Sequence, residues 1–383
     1  MIFWISSVIY LLVFSVATIF FYLSDSTSKK YIKVIFALLG ILVLSIFAAS
    51  RSDEIGRDIQ GYVLPIFNIA KSSNSFNEFI NMGQNFTDAN SSSSKEWTYL
   101  LLTYLCSRTS STDAFLLFML QLLTVTPVYL SAVQFSRRYK ISVPFYMLTY
   151  MFIFYLNSFN IMRQSIACAF FLLGFSYEKN NKWKMLICYL ISVLFHRMAF
   201  IAIVLLIIGK YLSKLRRYKK AIFLFIIMAI PVIIRPLLSF LMNMNLLTAA
   251  QSYYANVFIF GTIATNWTNV STLLLIIDGT RRTLMLAPYF SIKPTERYMY
   301  ELKNIVLIGY ILYMEFMLIT HSVYGGRISL FTDFLVMPLW AYFIKKKIKP
   351  TIYGYIIVII VMLILWLIWD LNVNNYGNFE FRF

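Results

Sequence analysis

Residues 32–50 read IKVIFALLGILVLSIFAAS, an apolar segment whose one charged residue, Lys33, lies near its start. An α-helix of this length extends about 28 Å, close to the roughly 30 Å hydrocarbon core of a bilayer. Similar apolar runs recur along the chain and are separated by short polar loops. They predict about ten full transmembrane helices, at 2–23, 32–50, 113–135, 142–158, 161–177, 221–242, 269–288, 304–320, 328–344 and 351–369.

The composition supports this interpretation and excludes several classes of protein. The chain of 383 residues is 60% hydrophobic and 13% charged, whereas a soluble domain is about a quarter charged. The strands of an outer-membrane barrel would instead alternate apolar and polar residues over about ten positions. We therefore predict an all-α polytopic membrane protein that forms a single integral-membrane domain over residues 1–383, and we exclude a soluble enzyme.

The net charge of +18 raises the question of a nucleic-acid partner. The cations lie in the loops between apolar runs, so we expect membrane lipid and no nucleic acid as the partner. The three cysteines have no metal-ligand spacing and are expected to be buried thiols. No nucleotide-binding glycine loop is found, and we expect neither a metal nor a cofactor. The cysteines are Cys106, Cys168 and Cys188.

The basic loops predict the orientation of the chain. By the positive-inside rule, clusters of Lys and Arg mark cytoplasmic loops, and they lie at 29–33, 137–140, 179–184, 210–220 and 345–349. Because successive transmembrane helices cross the membrane in opposite directions, two large loops, at 51–112 and at 243–268, are then predicted to lie outside. In the stretch from Arg51 to Glu96, four cations face six anions, the opposite balance to the cytoplasmic loops.

Three segments do not fit a plain transmembrane span. The interval 185–208 begins and ends in cytoplasmic loops and is interrupted by His196 and Arg197. Its halves, of about 11 residues each, extend only about 17 Å, which predicts a re-entrant hairpin or two short helices. The segment 96–107 predicts a short amphipathic helix at the membrane surface, and the span 269–288 contains Asp278, Arg281 and Arg282.

Charged side chains in a membrane span cost about 2.5 kcal/mol or more, so each needs a partner, a cavity or a function. The orientation above rests on other residues, the cytoplasmic lysines and arginines. Under it, a group of polar residues falls at or near the external ends of helices. The group consists of Arg51, Arg57, Asp58, Glu96, Arg163, His196, Tyr324 and Arg327.

The arginines of this group predict an anion site. A guanidinium group offers a planar fork of donors that suits phosphate or pyrophosphate. We predict that Arg51, Arg163 and Arg327 bind the anion and that Arg57 and Tyr324 contact the substrate. The structural alternatives are an ion pair of Arg51 with Asp53 or Glu54, an ion pair of Arg57 with Asp58, a hydrogen-bonding role for Arg163 and an interface-anchoring role for Arg327.

The acidic residues and the histidine are the candidate catalytic groups. Asp58 or Glu96 could accept a proton from a substrate hydroxyl group, or either could neutralise a neighbouring arginine. His196 could act as a base or donate to a phosphate, or it could be a structural histidine.

The order of these residues resembles the EpsG-like branch of the Wzy polysaccharide polymerases. The resemblance spans nearly the whole chain, and its most specific pieces are Asn-Ile-Met-Arg-Gln at 160–164 and Phe-His at 195–196. The other pieces are Arg51 with Gly56-Arg57-Asp58 and Tyr62, Glu96 with Tyr99, Ala167, Ala199 and Gly326-Arg327. Arg57 and Arg197 depart from the family pattern. The resemblance adds Tyr62, Asn160 and Gln164 to the expected substrate-binding residues.

The resemblance implies a metal-independent glycosyltransferase with a fold similar to the GT-C class. Such enzymes lie in the bacterial inner membrane and act at its outer face on repeat units linked to undecaprenyl pyrophosphate. They transfer the growing glycan to the non-reducing end of the next unit, in the synthesis of O-antigen, capsule or exopolysaccharide. A chain-length-regulating co-polymerase is a further expected partner.

Two other functions remain open at this point. A ligase would run the same chemistry but transfer the finished glycan to a different acceptor. A flippase for lipid-linked oligosaccharides would line a passage that reaches both faces of the membrane, whereas the costly polar residues here gather at the external ends of helices.

Overall fold

The computed structural model describes residues 2–56, 58–82, 96–244, 272–291, 296–315, 323–347 and 352–367. These residues are helical with connecting turns and contain no strand, so the all-α class is confirmed. The helices are α1 Ile2–Ser26, α2 Lys30–Ala49, α3 Leu64–Ser72, α4 Trp97–Thr109, α5 Ala114–Tyr139, α6 Val143–Ile153, α7 Met162–Tyr177, α8 Lys182–Phe195, α9 Met198–Lys214, α10 Arg217–Asn243, α11 Thr272–Met285, α12 Ala287–Ser291, α13 Arg297–Glu315, α14 Val323–Asp333, α15 Val336–Lys347 and α16 Ile352–Leu365.

Among the described residues, four helical segments are long and apolar enough to cross a membrane. They are Ile5–Ser26, Lys30–Ala49, Ala114–Tyr139 and Gly326–Lys346, and Val143–Ile153 is a shorter apolar helix. This finding supports a membrane protein, while the count of about ten spans stays a prediction. The external loop predicted at 243–268 lies, beyond residue 244, outside the described residues.

The predicted interruption at His196 and Arg197 is confirmed as a helix break. Helix α8 ends at Phe195, the backbone of His196 is extended (φ −157°, ψ 119°), and α9 begins at Met198. The two helices have 14 and 17 residues, so both extend beyond the interval and are longer than the predicted halves of about 11 residues. The segment predicted as a surface helix is also helical, as α4, but its exposed side carries the apolar residues Trp97, Leu101 and Leu105.

Several predicted spans differ from the structure. The span predicted at 269–288 is divided at Leu286 into α11 and α12, and the helix of the span predicted at 304–320 begins earlier, at Arg297. The span predicted at 142–158 is helical only to Ile153, because the Asn157 side chain donates to the Ile153 carbonyl (3.0 Å) and so competes with a continued helix. The span predicted at 328–344 is divided into α14 and α15. Pro338 has no N–H to donate to the Phe334 carbonyl four residues back, which weakens the helix at the turn of residues 334 and 335.

The chain forms two compact units. The first contains residues Met1–Arg197 and Trp340–Phe383, and the second contains Met198–Leu339. In the first unit, Trp366 packs edge-on or tilted against Tyr10, Phe14 and Phe152, with ring centroids 5.8 to 5.9 Å apart. This aromatic core holds α1, α6 and the end of α16 together. The cysteines of the first unit are buried free thiols, as expected.

The second unit is held by close helix packing. Its apolar core is a cluster of side chains from α9, α10, α13 and α14, namely Leu205, Leu212, Ile227, Ile308 and Ile328. Beside this core, Gly309 of α13 lies directly against the side chain of Thr332 in α14. The Thr332 hydroxyl donates to the Ser329 carbonyl (2.7 Å), which fixes its rotamer.

We predict that Gly309→Ala destabilises the protein, because the added methyl group would overlap the Thr332 side chain. Overpacking of this kind costs about 1–3 kcal/mol, and the apparent melting temperature in detergent should fall. The matched control is Gly279→Ala in α11, where an added Cβ meets no described atom within 4 Å. There alanine should stabilise the helix by up to about 1 kcal/mol. Equal melting temperatures for the two variants would contradict the packing described.

Candidate functional site

The first unit brings three of the predicted site residues, Asp58, Tyr62 and Glu96, together around a fourth, Arg163. This arginine lies in the first turn of α7, and its Nη1 donates to Glu96 Oε2 at 2.8 Å. The two side chains are only 14% and 11% exposed. Glu96 is the residue immediately before α4, so the ion pair joins the beginnings of two helices.

Two tyrosine rings enclose the guanidinium group of Arg163. Its Cζ atom lies 4.5 Å from the ring centroid of Tyr62 and 5.3 Å from that of Tyr99. The rings themselves pack edge to face, with centroids 5.8 Å apart. Aromatic faces attract cations, most strongly where water is excluded. Arg163 therefore lies in a low-dielectric pocket that strengthens its attraction for an anion.

A second carboxylate, that of Asp58, contacts the hydroxyl end of Tyr62. The Tyr62 hydroxyl donates to Asp58 Oδ2 at 2.8 Å. Both residues belong to a wide turn in which the Leu64 N–H donates to the carbonyl of Ile59, five residues back. Such π-type turns frequently occur at functional sites. Burial, followed by the Asp58 carboxylate, raises the pKa of the Tyr62 phenol well above its ordinary value, so this tyrosine keeps its proton.

Glu96 is held by more than Arg163. The backbone N–H of Arg197, in the break between α8 and α9, also donates to the Glu96 carboxylate. Burial raises the pKa of this carboxyl group above its ordinary value, against the lowering effect of Arg163 and Arg197. His196 is half-buried beside this contact, and its backbone N–H donates to the Ser192 carbonyl (3.0 Å).

Arg51 is buried, with 2% of its surface exposed. Its guanidinium group donates to the carbonyls of Ala48 and Ile55 and lies 4.1 Å from the ring centroid of Phe159. These contacts fix the backbone between the end of α2 and Ile55, which precedes the turn that carries Asp58 and Tyr62. Binding of pyrophosphate by Arg51 stays a prediction.

The loop that begins at Arg51 approaches the turn before α7 at Gly56. This glycine has φ +105°, and a Cβ atom there would lie 2.7 Å from the Phe159 carbonyl oxygen and 3.5 Å from Asn160 Oδ1. Only glycine fits both the backbone conformation and the close approach. The contact brings Asp58, two residues further on, towards the start of α7.

The other predicted residues are placed as follows. Asn160 is half-buried in the turn before α7, and Gln164 is buried in its first turn. Arg57 and the side chain of Tyr324 lie outside the described residues. Arg327 belongs to the second unit, where it is exposed on α14.

The second unit contains a polar cluster that the sequence analysis missed. Arg282 Nη1 donates to Asp333 Oδ2 at 2.6 Å and to Ser329 Oγ at 2.8 Å, and its Cζ lies 3.6 Å from the ring centroid of Tyr313. A signal was present, because Arg282 and Asp333 are opposite charges in two predicted spans. Two such charges are each costly alone and are best explained as a pair.

No group of three or more His, Cys, Asp and Glu side chains in the described part of the chain is arranged to hold a metal ion.

Several helices apolar and long enough to cross a membrane indicate a membrane protein, and its first unit contains a buried cluster of an arginine, a carboxylate and two tyrosines. The chain belongs to the EpsG family, whose family model matches residues 34–383. The resemblance found in the sequence is thereby confirmed, and it indicates a polymerase-type role in polysaccharide biosynthesis. No curated protein and no solved structure gives a significant match.

We predict that the Arg163–Glu96 pair contributes to stability as a unit. Glu96→Ala should cost about 3–5 kcal/mol, because it leaves a buried charge without its partner. The double variant Glu96→Ala/Arg163→Ala should lose less than the sum of the single variants, with a coupling energy of about 0.5–3 kcal/mol. Chemical unfolding in detergent measures these values.

The control for this cycle is the pair of Lys33 with Asp25, which is 3.9 Å long and about one-third exposed. Its removal by Asp25→Ala should cost about 1 kcal/mol or less. Strict additivity at Arg163 and Glu96 would contradict the pairing.

Proposed function

We propose that this protein is a polysaccharide polymerase of the bacterial inner membrane. It transfers the growing glycan from undecaprenyl pyrophosphate to the non-reducing end of the next lipid-linked repeat unit, at the outer face. Membership of the EpsG family supports the polymerase role. The buried Arg163, which is paired with Glu96 and enclosed by two tyrosine rings, is the observation that carries the chemistry.

In this proposal the guanidinium group of Arg163 stabilises the leaving group. The acceptor hydroxyl oxygen forms a bond to the anomeric carbon while the bond from that carbon to the pyrophosphate oxygen breaks. The negative charge that develops on the pyrophosphate is stabilised by this guanidinium group, which is positioned before the reaction begins. The arginine supplies this positive charge, so the proposed reaction needs no metal ion. Because both substrates are tethered to the membrane, their reacting groups meet at high effective concentration.

Asp58 is the proposed base. Its carboxylate accepts a hydrogen bond from the Tyr62 hydroxyl, and the Tyr62 ring lies against the Arg163 guanidinium group. Glu96, in contrast, neutralises Arg163 directly and is also held by the backbone of Arg197. We assign Glu96 the role of positioning Arg163. His196 either orients a phosphate group or accepts the proton in place of Asp58.

The arginine geometry is tested by Arg163→Lys and Arg163→Ala in a polymerisation assay with purified protein and lipid-linked repeat units. Both variants should reduce the rate of polymer formation by about 100-fold, since lysine keeps the charge but loses the planar fork. The control is Arg138→Lys, at an arginine that donates to Asn180 Oδ1 (2.9 Å) and to the Ser176 carbonyl. Near-normal chain length and rate in both Arg163 variants would remove Arg163 from the site. Transfer to an unrelated acceptor without chain growth would indicate a ligase.

The assignment of the base is tested by comparing Asp58→Asn with Glu96→Gln. Asp58→Asn should lower kcat by about 100-fold or more with little change in KM, because only proton removal is lost. Glu96→Gln should change KM more than kcat, because it alters how Arg163 is held. Measurements of both constants over the acceptor concentration separate these patterns. The reverse pattern would make Glu96 the base.

A further inference from the structure

One face of α13 carries a line of buried residues at helical spacing. Glu301, Asn304, Ile308 and Glu315 are each no more than 5% exposed. Two of its polar side chains have clear partners. Glu301 Oε1 accepts from Arg297 Nε at 3.0 Å, and the Asn304 side-chain oxygen accepts from the ammonium group of Lys220.

Glu315 is different. Neither of its carboxyl oxygens has a hydrogen-bond partner among the described residues, although the residue is only 5% exposed. A buried polar group without a partner costs about 1–3 kcal/mol, and more when it is charged. The fold gains nothing from this side chain as it stands, so a ligand that offers hydrogen-bond donors would relieve the cost.

The position of Glu315 follows from the packing of α13 and α14. Gly309 of α13 lies against Thr332 of α14. Arg282 contacts both Tyr313, which is four residues after Gly309, and Ser329, which is three residues before Thr332. The two helices therefore run in opposite directions, and Glu315 is level with the Gly326–Arg327 end of α14 to within about one turn.

The described residues pack loosely against Gly326 at this end of α14. A Cβ atom at Gly326 would meet one described atom within 4 Å, Arg282 Nη2, and only at 3.8 Å. Below this level the same helices are filled by the apolar side chains of Ile308 and Ile328. The unpartnered carboxyl group thus lies where the apolar packing ends and the arginine-bearing end of α14 begins.

We propose that Glu315 is the carboxyl group of a sugar-binding subsite at the Gly326–Arg327 end of the second unit. It accepts hydrogen bonds from the hydroxyl groups of the glycan, and its two oxygens suit the neighbouring hydroxyls of one sugar ring. Arg327, at the same level of the second unit, offers a guanidinium group to an anionic part of the ligand. This inference rests on the proposed polymerase function and adds a specificity-determining residue to it.

The test compares Glu315→Gln with Glu301→Gln, two identical substitutions on one face of one helix. Glu315→Gln should raise the KM for the lipid-linked repeat unit by about tenfold or more while the melting temperature stays equal or rises, because an unpartnered acid is removed. Glu301→Gln should lower the melting temperature and leave KM unchanged, because it breaks the contact with Arg297. Glu315→Asp, which shortens the reach by one methylene group, should raise KM as well.

A wild-type KM in Glu315→Gln, with active wild-type protein, would overturn this inference alone. If the wild-type protein makes no polymer from repeat units already on the outer face, the proposed function fails. The subsite is then judged by thermal stabilisation with undecaprenyl-pyrophosphate oligosaccharide. Stabilisation that is reduced in Glu315→Gln supports the subsite, and equal stabilisation overturns it. Stabilisation by sodium or potassium ions without glycan, lost in Glu315→Gln, would show a cation site and also overturn it.

Discussion

The ion pair of Arg163 with Glu96 is the interaction on which the site of the first unit depends. A charge in a protein interior is tolerated only when a partner and hydrogen bonds compensate it. Here the partner comes from the residue before α4, the aromatic walls come from α4 and from the turn before α3, and the Arg197 backbone supplies a further donor. One buried guanidinium group thereby determines how four separate segments of the chain meet.

The second unit also compensates the charge of a largely buried arginine, with different residues. Arg282 also pairs with an acid, Asp333, and also lies over a tyrosine ring, that of Tyr313. The difference is in the surroundings of the acid. Asp333 accepts from the Ser329 hydroxyl on its own helix, whereas the further donor to Glu96 is the Arg197 backbone, from a distant part of the chain.

Much of the fold could be predicted from the sequence, because the length of an apolar run and the cost of charge in a membrane are local properties. The beginnings of α2, α5, α6 and α7 lie within two residues of the predicted ones, and the break at His196 and Arg197 was expected. The division of α14 from α15 was readable from Pro338 but was missed. The end of α6 depends on the Asn157 side chain, a contact that no hydrophobic pattern reveals.

The site was predictable only as a set of residue types. Arg51 and Arg163 look alike in sequence, each a lone arginine at the end of an apolar run. In the structure Arg51 donates to backbone carbonyls, whereas Arg163 meets a carboxylate between two rings. Glu315 was overlooked because a single acid in an apolar helix gives no hint of whether a partner is near. Such distinctions depend on which distant segments fold against the residue, and a pattern in one segment does not contain that information.

The most direct measurement is an experimental structure with undecaprenyl pyrophosphate bound. The account predicts phosphate oxygens within hydrogen-bonding distance, about 3 Å, of the Arg163 guanidinium group, with the Glu96 carboxylate moved away from its 2.8 Å contact. A pyrophosphate bound elsewhere, with Arg163 and Glu96 still paired and the tyrosine rings still closed around them, would contradict it.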